Sequence, residues 1–423
     1  MSERLKRIEN YNFWNGNVPE LGFQRIAYTD KVFSYVGNRL VKVLIGQRRV
    51  GKSYLLRQIA HRLIQSGVLP QNILYINKEF TAFDFLSDSR SLEELFLLYK
   101  SELKPVGKVY LLLDEIQNID GWEHFVNSYS QDFTSEYEIF VTGSNSEMLS
   151  GELASLLSGR YVEFLVLPFG FTEYAELKKQ TISKETYLKY LNEGGLPELF
   201  YLPGGDIQFN YISAVKDTIL LRDIVQRYNI KDAKLLEDIF TYLVNNTSQL
   251  LSISNIVSYF ASKNRKTNYE TVSSYIGYIE NAFLIHKAER YQIQGKETIS
   301  GTAKYYMNDL SYQNLYPGFS SGAGYMLENA VYLELLRNGY KVYVGNLKNK
   351  DKEVDFVALR GNRVIYLQCA YLLSDEKTIE REYSALMEIK DNYEKVVVTL
   401  DDYSFPQREG IIHAQAWKLH EIL

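Results

Sequence analysis

A single cysteine, Cys369, serves the whole 423-residue chain. That excludes an internal disulfide framework and any zinc site built on several thiolates. Histidine is scarce too, five residues scattered along the length, so a histidine-ligated metal centre is not expected. No uninterrupted apolar run approaches the roughly 18 residues of a membrane span. Runs such as Tyr110-Leu111-Leu112-Leu113 have the length of a strand. The opening Met1-Ser2-Glu3-Arg4-Leu5-Lys6-Arg7 has no apolar stretch behind its charges, so no secretory signal is expected. Positive charge is not in excess: 47 Lys and Arg against 52 Asp and Glu leave a net charge of −5. Such a chain has no global attraction to nucleic acid or to an anionic membrane; only a local basic patch could provide one. Internal repeats and long low-complexity segments are missing. The expected setting is cytoplasmic, without a membrane partner. What is present is the composition of a globular protein, 46% hydrophobic and 23% charged. At roughly 100–200 residues per domain, this length predicts two to four domains.

The first third alternates short apolar strands with helical patterns. Val41-Lys42-Val43-Leu44-Ile45 reads as a buried strand, and Lys52 to Ser66 then places Leu55, Leu56, Ile59, Leu63 and Ile64 on one helical face. Strands follow at Ile73–Ile76, Val109–Leu113 and Ile139–Thr142, with a helix over Leu92–Leu103. Strands separated by helices imply a parallel sheet covered on both faces. Helices are expected over 206–250. Next come a short helix at Ser254–Phe260, a polar turn, a longer helix at Thr267–Phe283 and two strands near Leu284–Ala288 and Lys304–Met307. That is the outline of a winged helix. Pro317-Gly318 reads as a linker. The tail shows a helix at Tyr325–Arg337, strands at Lys341–Val344, Val354–Ala358, Val364–Gln368 and Val396–Thr399, and a further helix. The expected division is 1–205, with an ATP-binding core over about 35–180, then 206–316 and 317–423.

Gly46-Gln47-Arg48-Arg49-Val50-Gly51-Lys52-Ser53 fills every fixed position of G-x-x-x-x-G-K-[ST], directly after a strand and opening a helix. Glycines let the backbone curl so that its N–H groups point at a phosphate, and the helix N-terminus adds partial positive charge. Gly46, Arg49, Val50, Gly51, Lys52, Ser53 and the following Tyr54 are therefore the expected nucleotide-binding residues, with Lys52 on the β/γ oxygens. Tyr110 to Leu113 ends in Asp114-Glu115. Asp114, with Ser53, is placed to hold Mg²⁺, and Glu115 to orient and deprotonate the attacking water. Thr142 is followed by Gly143-Ser144-Asn145-Ser146, where Asn145, and next Ser144, can reach the γ-phosphate or that water. The guanine-selecting N-K-x-D has no match, since Asn349-Lys350-Asp351-Lys352 lacks the fourth-position aspartate. ATP is favoured over GTP.

These blocks resemble a known family, the prokaryotic AAA-type P-loop ATPases that carry a C-terminal restriction-nuclease-like domain of unknown function. The likeness rests on Gly46–Ser53, Leu113-Asp114-Glu115-Ile116-Gln117-Asn118 with Gly121-Trp122, and Thr142–Ser146. Leu157-Ser158-Gly159-Arg160-Tyr161, Pro168–Tyr174 and Gly194-Gly195-Leu196-Pro197-Glu198 continue it. In the tail, Leu327-Glu328-Asn329, Glu353-Val354-Asp355-Phe356-Val357 and Tyr366-Leu367-Gln368 look like the family's pattern. The resemblance implies an α/β fold: a P-loop parallel sheet, a helical and winged-helix middle, and a small nuclease-like α/β tail. It also implies that Asn145 senses the γ-phosphate. Arg160 matches a recurrent arginine that could stabilise transition-state charge from its own or a neighbouring subunit, which leaves a homo-oligomer open. Arg222 and Arg227 are weaker candidates.

Nucleic acid is not the favoured partner. Reading helices of this kind use Arg, Lys, Asn or Gln in the major groove. From Thr267 to His286 there is no lysine or arginine, and residues 231–310 balance nine basic against eight acidic side chains. The one basic cluster, Lys263, Arg265 and Lys266, lies on the turn before the helix. The tail is expected to be catalytically inactive. Glu328 and Asp355 stand in order for metal ligands, with Glu353 able to join from the same strand face. But Gln368 replaces a carboxylate and Ala370 stands where a water-orienting lysine would be. The expected activity is Mg²⁺-dependent ATP hydrolysis coupled to a conformational change on an unidentified macromolecule. The alternatives are an ATP-dependent nuclease or DNA-processing protein, and an ATP-binding switch with little turnover.

Overall fold

The computed structural model describes residues 1–149, 152–157, 159–316, 323–347 and 352–423. Its contacts divide the chain into two units, Met1–Val166 and Leu167–Leu423. No helix among the described residues is long and apolar enough to cross a membrane.

The first unit is built on five strands: β1 (Val41–Ile45), β2 (Ile73–Asn77), β3 (Val109–Asp114), β4 (Tyr137–Gly143) and β5 (Tyr161–Leu165). They pair in parallel in the order β2-β3-β4-β1-β5. All residues of β1, β2 and β4 are buried, as a sheet covered on both faces requires. The helix Lys52–Gln65 lays Leu55, Leu56, Ile59 and Leu63 on one face of the sheet, among Leu44, Tyr75, Leu112 and Phe140. The helix Ser89–Leu103 begins with a reciprocal Asp88/Ser91 capping box. β5 escapes the sequence pattern because Glu163 interrupts its apolar run. It is an edge strand, half-buried along most of its length.

Two polar devices complete this sheet. β2 is the other edge, and its outward peptide groups are met by side chains from the N-terminal segment. Asn12 accepts from Tyr75 N–H at 2.7 Å and donates to Tyr75 C=O at 3.1 Å, while Trp14 Nε1 donates to Ile73 C=O at 2.9 Å. The asparagine amide thus imitates one residue of a further strand and blunts the edge. Inside the sheet, Lys42 of β1 is fully buried and ion-paired with Glu138 of β4.

The second unit opens with helices Phe171–Leu177, Lys184–Glu193 and Asp206–Thr218. The last runs into a π-helical stretch, Ile219–Gln226, and then come Ala233–Asn245, Ile253–Ser262 and Tyr269–Asn281. The strands are β6 (Ile285–Gln292), β7 (Glu297–Met307), β8 (Lys341–Asn346), β9 (Glu353–Arg360), β10 (Arg363–Ala370), β11 (Glu394–Thr399) and β12 (Ile411–Gln415), with helices Ala323–Arg337 and Glu376–Met387 between them. All seven strands form one mixed sheet, β12-β11-β10-β9-β8-β6-β7.

The sheet crosses the expected separation at residue 316. β6 pairs in parallel with β8 through Arg290–Gln292 and Val344–Asn346, so ribbon and tail share a sheet. Gly345 permits the junction: a Cβ there would lie 2.9 Å from Val354 Cβ and 3.1 Å from Ile293 Cδ1. The Pro317-Gly318 linker lies outside the described residues.

Candidate active site

The phosphate-type loop leaves the C-terminal end of β1, between β4 and β5. Gly46 is required by space: a Cβ there would lie 2.2 Å from the carbonyl oxygen of Val166. Gly51 precedes the helix with φ +95°, and Arg49 takes φ +70° without being glycine. The curl and the helix start bring successive N–H groups to one place. Lys52, only 4% exposed, lies over the loop, donating to Gly46 C=O at 2.9 Å and Gln47 C=O at 3.0 Å. Val50 is buried, and its carbonyl accepts from the buried Arg25 at 3.2 Å. Arg25 also stacks over Tyr28, and Gln58 holds the segment before it through Leu21 C=O and Phe23 C=O, both at 2.7 Å. The N-terminal segment therefore braces the loop, a role that isolated residues in a pattern-free stretch gave no signal for. Tyr54 is partly exposed, its ring under Arg57 at 4.2 Å.

Asp114 ends β3 and is completely buried. Tyr75 hydroxyl and Asn77 Nδ2 donate to Oδ2, both at 2.7 Å, and Thr142 hydroxyl donates to Oδ1 at 2.5 Å. Burial pushes its pKa up, with the Glu115 charge adding, against hydrogen bonds that include one from Ser53. Ser53 and Asp114, the two expected metal-holding residues, are thus in contact. Tyr75, Asn77 and Thr142 were not singled out by the sequence. They sit on the flanking strands β2 and β4, Asn77 level with Asp114 and Tyr75 two residues before it on the same face, and only the sheet order brings them to it.

Glu115 takes φ +50°, which turns its side chain out of the strand. Its Oε1 lies 3.7 Å from Lys52 Nζ, and Gln117 donates to its Oε2 at 2.6 Å. Burial alone would raise its pKa, but the Lys52 and Arg48 charges together with hydrogen bonds from Gln117 and Ser144 hold it below the usual value. Asn145 follows the end of β4. Its Oδ1 accepts from Glu147 N–H at 2.7 Å, which fixes the amide's orientation. Its Nδ2, wholly buried, has no partner in the protein. Ser144 is buried beside Gln117.

Arg160 stands elsewhere. Its guanidinium caps the helix Glu152–Leu157, donating to Leu157 C=O at 2.9 Å and Leu156 C=O at 3.1 Å. Its own carbonyl accepts from Val41 N–H, at the start of β1. The loop leaves the other end of that strand, four residues on, about 13 Å away at the rise of an extended chain. Arg222 and Arg227 are exposed on and just after the Ile219–Gln226 stretch of the second unit.

The tail departs from expectation in one way. Glu353 does join Glu328 and Asp355, as its strand spacing allowed, but a lysine is present: Lys304 of β7, 2.9 Å from Glu328, 2.6 Å from Glu353 and 3.3 Å from Asp355. Ala370 is indeed no ammonium, but the charge arrives from the ribbon, which the sequence had assigned to a different domain. Gln368 is no ligand. It accepts from Asp355 N–H at 3.3 Å and donates to Glu382 at 3.1 Å, tying β9 to the helix Glu376–Met387. Among the described residues, no group of three or more His, Cys, Asp or Glu is arranged to hold a metal ion.

A family model described as an AAA domain matches residues 38–175, and one described as a domain of unknown function matches 184–318. The chain is 35% identical over 405 residues to an uncharacterised protein of Haemophilus influenzae, covering 93% of this chain and 98% of that one. It is 33% identical over 383 residues to an uncharacterised protein of Methanocaldococcus jannaschii, covering 86% and 83%. Among solved structures, the Aeropyrum pernix ORC1 protein in complex with DNA is 13% identical, covers 74% of this chain and 95% of that one, and superposes with a TM-score of 0.34. The phosphate loop lies on a parallel sheet of the P-loop kind, the AAA model spans that sheet, and the relatives match nearly end to end; the chain belongs to the prokaryotic AAA-type P-loop family that it shares with these two uncharacterised proteins.

Proposed function

We propose that the first unit binds ATP with Mg²⁺, hydrolyses it, and uses the change of state to act on a macromolecular partner. The observation that carries this reading is the Nδ2 of Asn145. A fully buried donor without a partner costs about 1–3 kcal/mol, so it calls for an acceptor that the chain itself does not provide. It stands at the same end of the sheet as the loop and the two carboxylates, where a phosphate oxygen or the attacking water would meet it.

The other residues fit the same occupant. Gly46, Arg49, Val50, Gly51, Lys52, Ser53 and Tyr54 form the loop and helix start that would take the phosphates, and Ser53 and Asp114 would hold the ion. Bound Mg²⁺ supplies neutralisation of charge on the β- and γ-oxygens. Asp114 accepts from Tyr75, Asn77, Thr142 and Ser53, and an ionised carboxylate is acceptor-only, so these hydrogen bonds favour its charged form against burial. Glu115 is kept ionised by Lys52 and Arg48, and is therefore ready to take a proton from water at an oxygen oriented by Gln117. Arg160, at the opposite end of β1, is assigned a role in trans, on the site of a neighbouring copy, which makes the active form a homo-oligomer.

The partner we favour is a protein rather than nucleic acid. The helices Ile253–Ser262 and Tyr269–Asn281 with the β6–β7 ribbon give the winged-helix reading its elements, but the second helix carries no basic residue. Of the cluster on the preceding turn, Arg265 is already paired with Asp232 at 2.9 Å and Asp238 at 3.4 Å.

Two variants of the full chain test the assignment. Lys52→Ala should weaken ATP binding. Glu115→Gln should bind ATP normally but lose turnover by ~10²–10⁴-fold, the worth of a general base. Undiminished phosphate release in both would overturn the site. Tight binding with negligible turnover in the unmodified chain would favour the switch instead.

A further inference from the structure

We infer that the carboxylate cluster of the second unit is a cation site filled from within: the Lys304 ammonium holds the place that a divalent metal ion would take, and the chain as it stands binds no metal there. Lys304 is 4% exposed, and Glu328 and Asp355 are each 8% exposed. The ammonium lies within 2.6–3.3 Å of one oxygen from each of Glu328, Glu353 and Asp355. An ammonium has three N–H donors and no acceptor, so three carboxylates use it completely. Other contacts fix the oxygens around it. Tyr306 hydroxyl donates to Glu328 at 2.7 Å, and Cys369 N–H donates to the second oxygen of Asp355 at 2.9 Å.

A hard divalent cation would ask for the same thing, several oxygens converging on one point at about 2.0–2.6 Å. The ammonium meets that demand with one charge and longer contacts. It also has no donor to spare for a water molecule, so it is not placed to activate one. Burial and the Asp355 charge favour a protonated Glu328, so the charges to balance are those of Asp355 and Glu353, and two carboxylates around one ammonium still leave an excess of negative charge. Taking the ammonium away would therefore leave an anionic oxygen cluster, part-open on the side of Glu353, which is 30% exposed.

The test is a Mn²⁺ titration of the full chain, read as the thermal midpoint of the second unit by near-ultraviolet circular dichroism, in wild type, Lys304→Met, Asp355→Asn and the double variant. The Ser53/Asp114 site is common to all four, so the comparison cancels it. The expected results are a Lys304→Met midpoint several degrees below wild type, recovery of at least half that loss in millimolar Mn²⁺, and no recovery in the double variant. Wild type should respond to Mn²⁺ no more than Asp355→Asn does. A Mn²⁺ stabilisation of wild type that Asp355→Asn abolishes would overturn the inference, because metal and ammonium would then share the site. A Lys304→Met protein indifferent to Mn²⁺ would overturn it equally. Should that variant not fold in plain buffer, refolding from urea is compared with Mn²⁺ and with EDTA. Recovery with Mn²⁺ alone supports the filled cation site, and failure in both conditions refutes it.

Discussion

Replacing Asn145 by alanine removes two hydrogen-bonding groups whose consequences differ, because only one of them is used by the fold. Oδ1 accepts from Glu147 N–H at 2.7 Å. Losing that neutral bond should cost about 0.5–1.5 kcal/mol of stability, the net worth of one hydrogen bond, and Glu147 is only half-buried so water can replace it. For a unit of this size that is a fall in thermal midpoint of about 1–6 °C. Nδ2 bonds nothing in the protein, so in the nucleotide-free fold its loss relieves the cost of about 1–3 kcal/mol of an unpaired buried donor, which makes that fall an upper limit. If it is aimed at the charge developing on phosphate or water, its removal costs about 2.7–4 kcal/mol of transition-state stabilisation, or 10²–10³ in turnover. The catalytic loss should therefore exceed the stability loss severalfold. ATP affinity should change less than turnover, since an interaction made chiefly in the transition state leaves ground-state binding nearly intact. The assay is steady-state phosphate release at saturating ATP, with nucleotide affinity by fluorescence titration and the midpoint by calorimetry on the same preparation. A midpoint lowered by a few degrees with unchanged turnover would refute the argument. It would mean that the amide only holds the turn between residues 145 and 147.

Arg160→Ala should lower turnover by more than tenfold while leaving ATP affinity nearly unchanged, and mixing it with Lys52→Ala protein should restore part of the activity, as action on a neighbour's site requires; no rescue in the mixture would argue that Arg160 only caps Glu152–Leu157. The second unit should lose stability as pH rises. Burial, with the Asp355 charge, pushes Glu328 up to about 8 from 4.5. Between those values the folded protein keeps a proton that the unfolded chain has released, so stability falls with increasing pH, by at most ~1.4 kcal/mol per unit. Urea unfolding of wild type and Glu328→Gln between pH 5 and 8 checks the sign. The variant should lack this component of the slope, and equal slopes would refute it.

The elements that could be read from the sequence are those whose neighbours in the chain are also their neighbours in space. Lys52–Gln65 carries an apolar stripe at helical spacing and starts at a glycine. β1, β2 and β3 are short apolar runs, and each was placed to within a residue or so. β5 was missed because its burial is one-sided and Glu163 breaks the run. β12 was missed because His413 and Gln415 punctuate five residues that β11 alone makes into a strand. The ribbon was found, but its partner strand was not. Its register with itself is local, while its three-residue pairing with β8 lies more than fifty residues away and leaves no periodicity to read.

The two charged centres divide along the same line. Gly46–Ser53 and Asp114-Glu115 are contiguous motifs, so their residue types and spacing carry the chemistry. What surrounds them does not: Tyr75, Asn77 and Thr142 reach Asp114 from flanking strands, at separations of 39, 37 and 28 residues. In the tail, strand spacing fixes which residues follow one another on a face, so the sequence points to an ammonium only beside Gln368. Lys304 instead comes 24 residues before Glu328 and 51 before Asp355. A buried carboxylate cluster of this charge cannot persist without a cation, by the cost of desolvating uncompensated charge. That demand was legible: Glu328, Glu353 and Asp355 required either a metal or a distant basic side chain. With alanine at position 370, a lysine flanked by apolar and aromatic residues is the sequence signal for that cation. Ala303-Lys304-Tyr305-Tyr306-Met307 is such a stretch, four hydrophobic neighbours around one charge, a pattern that makes sense only where the charge is met inside.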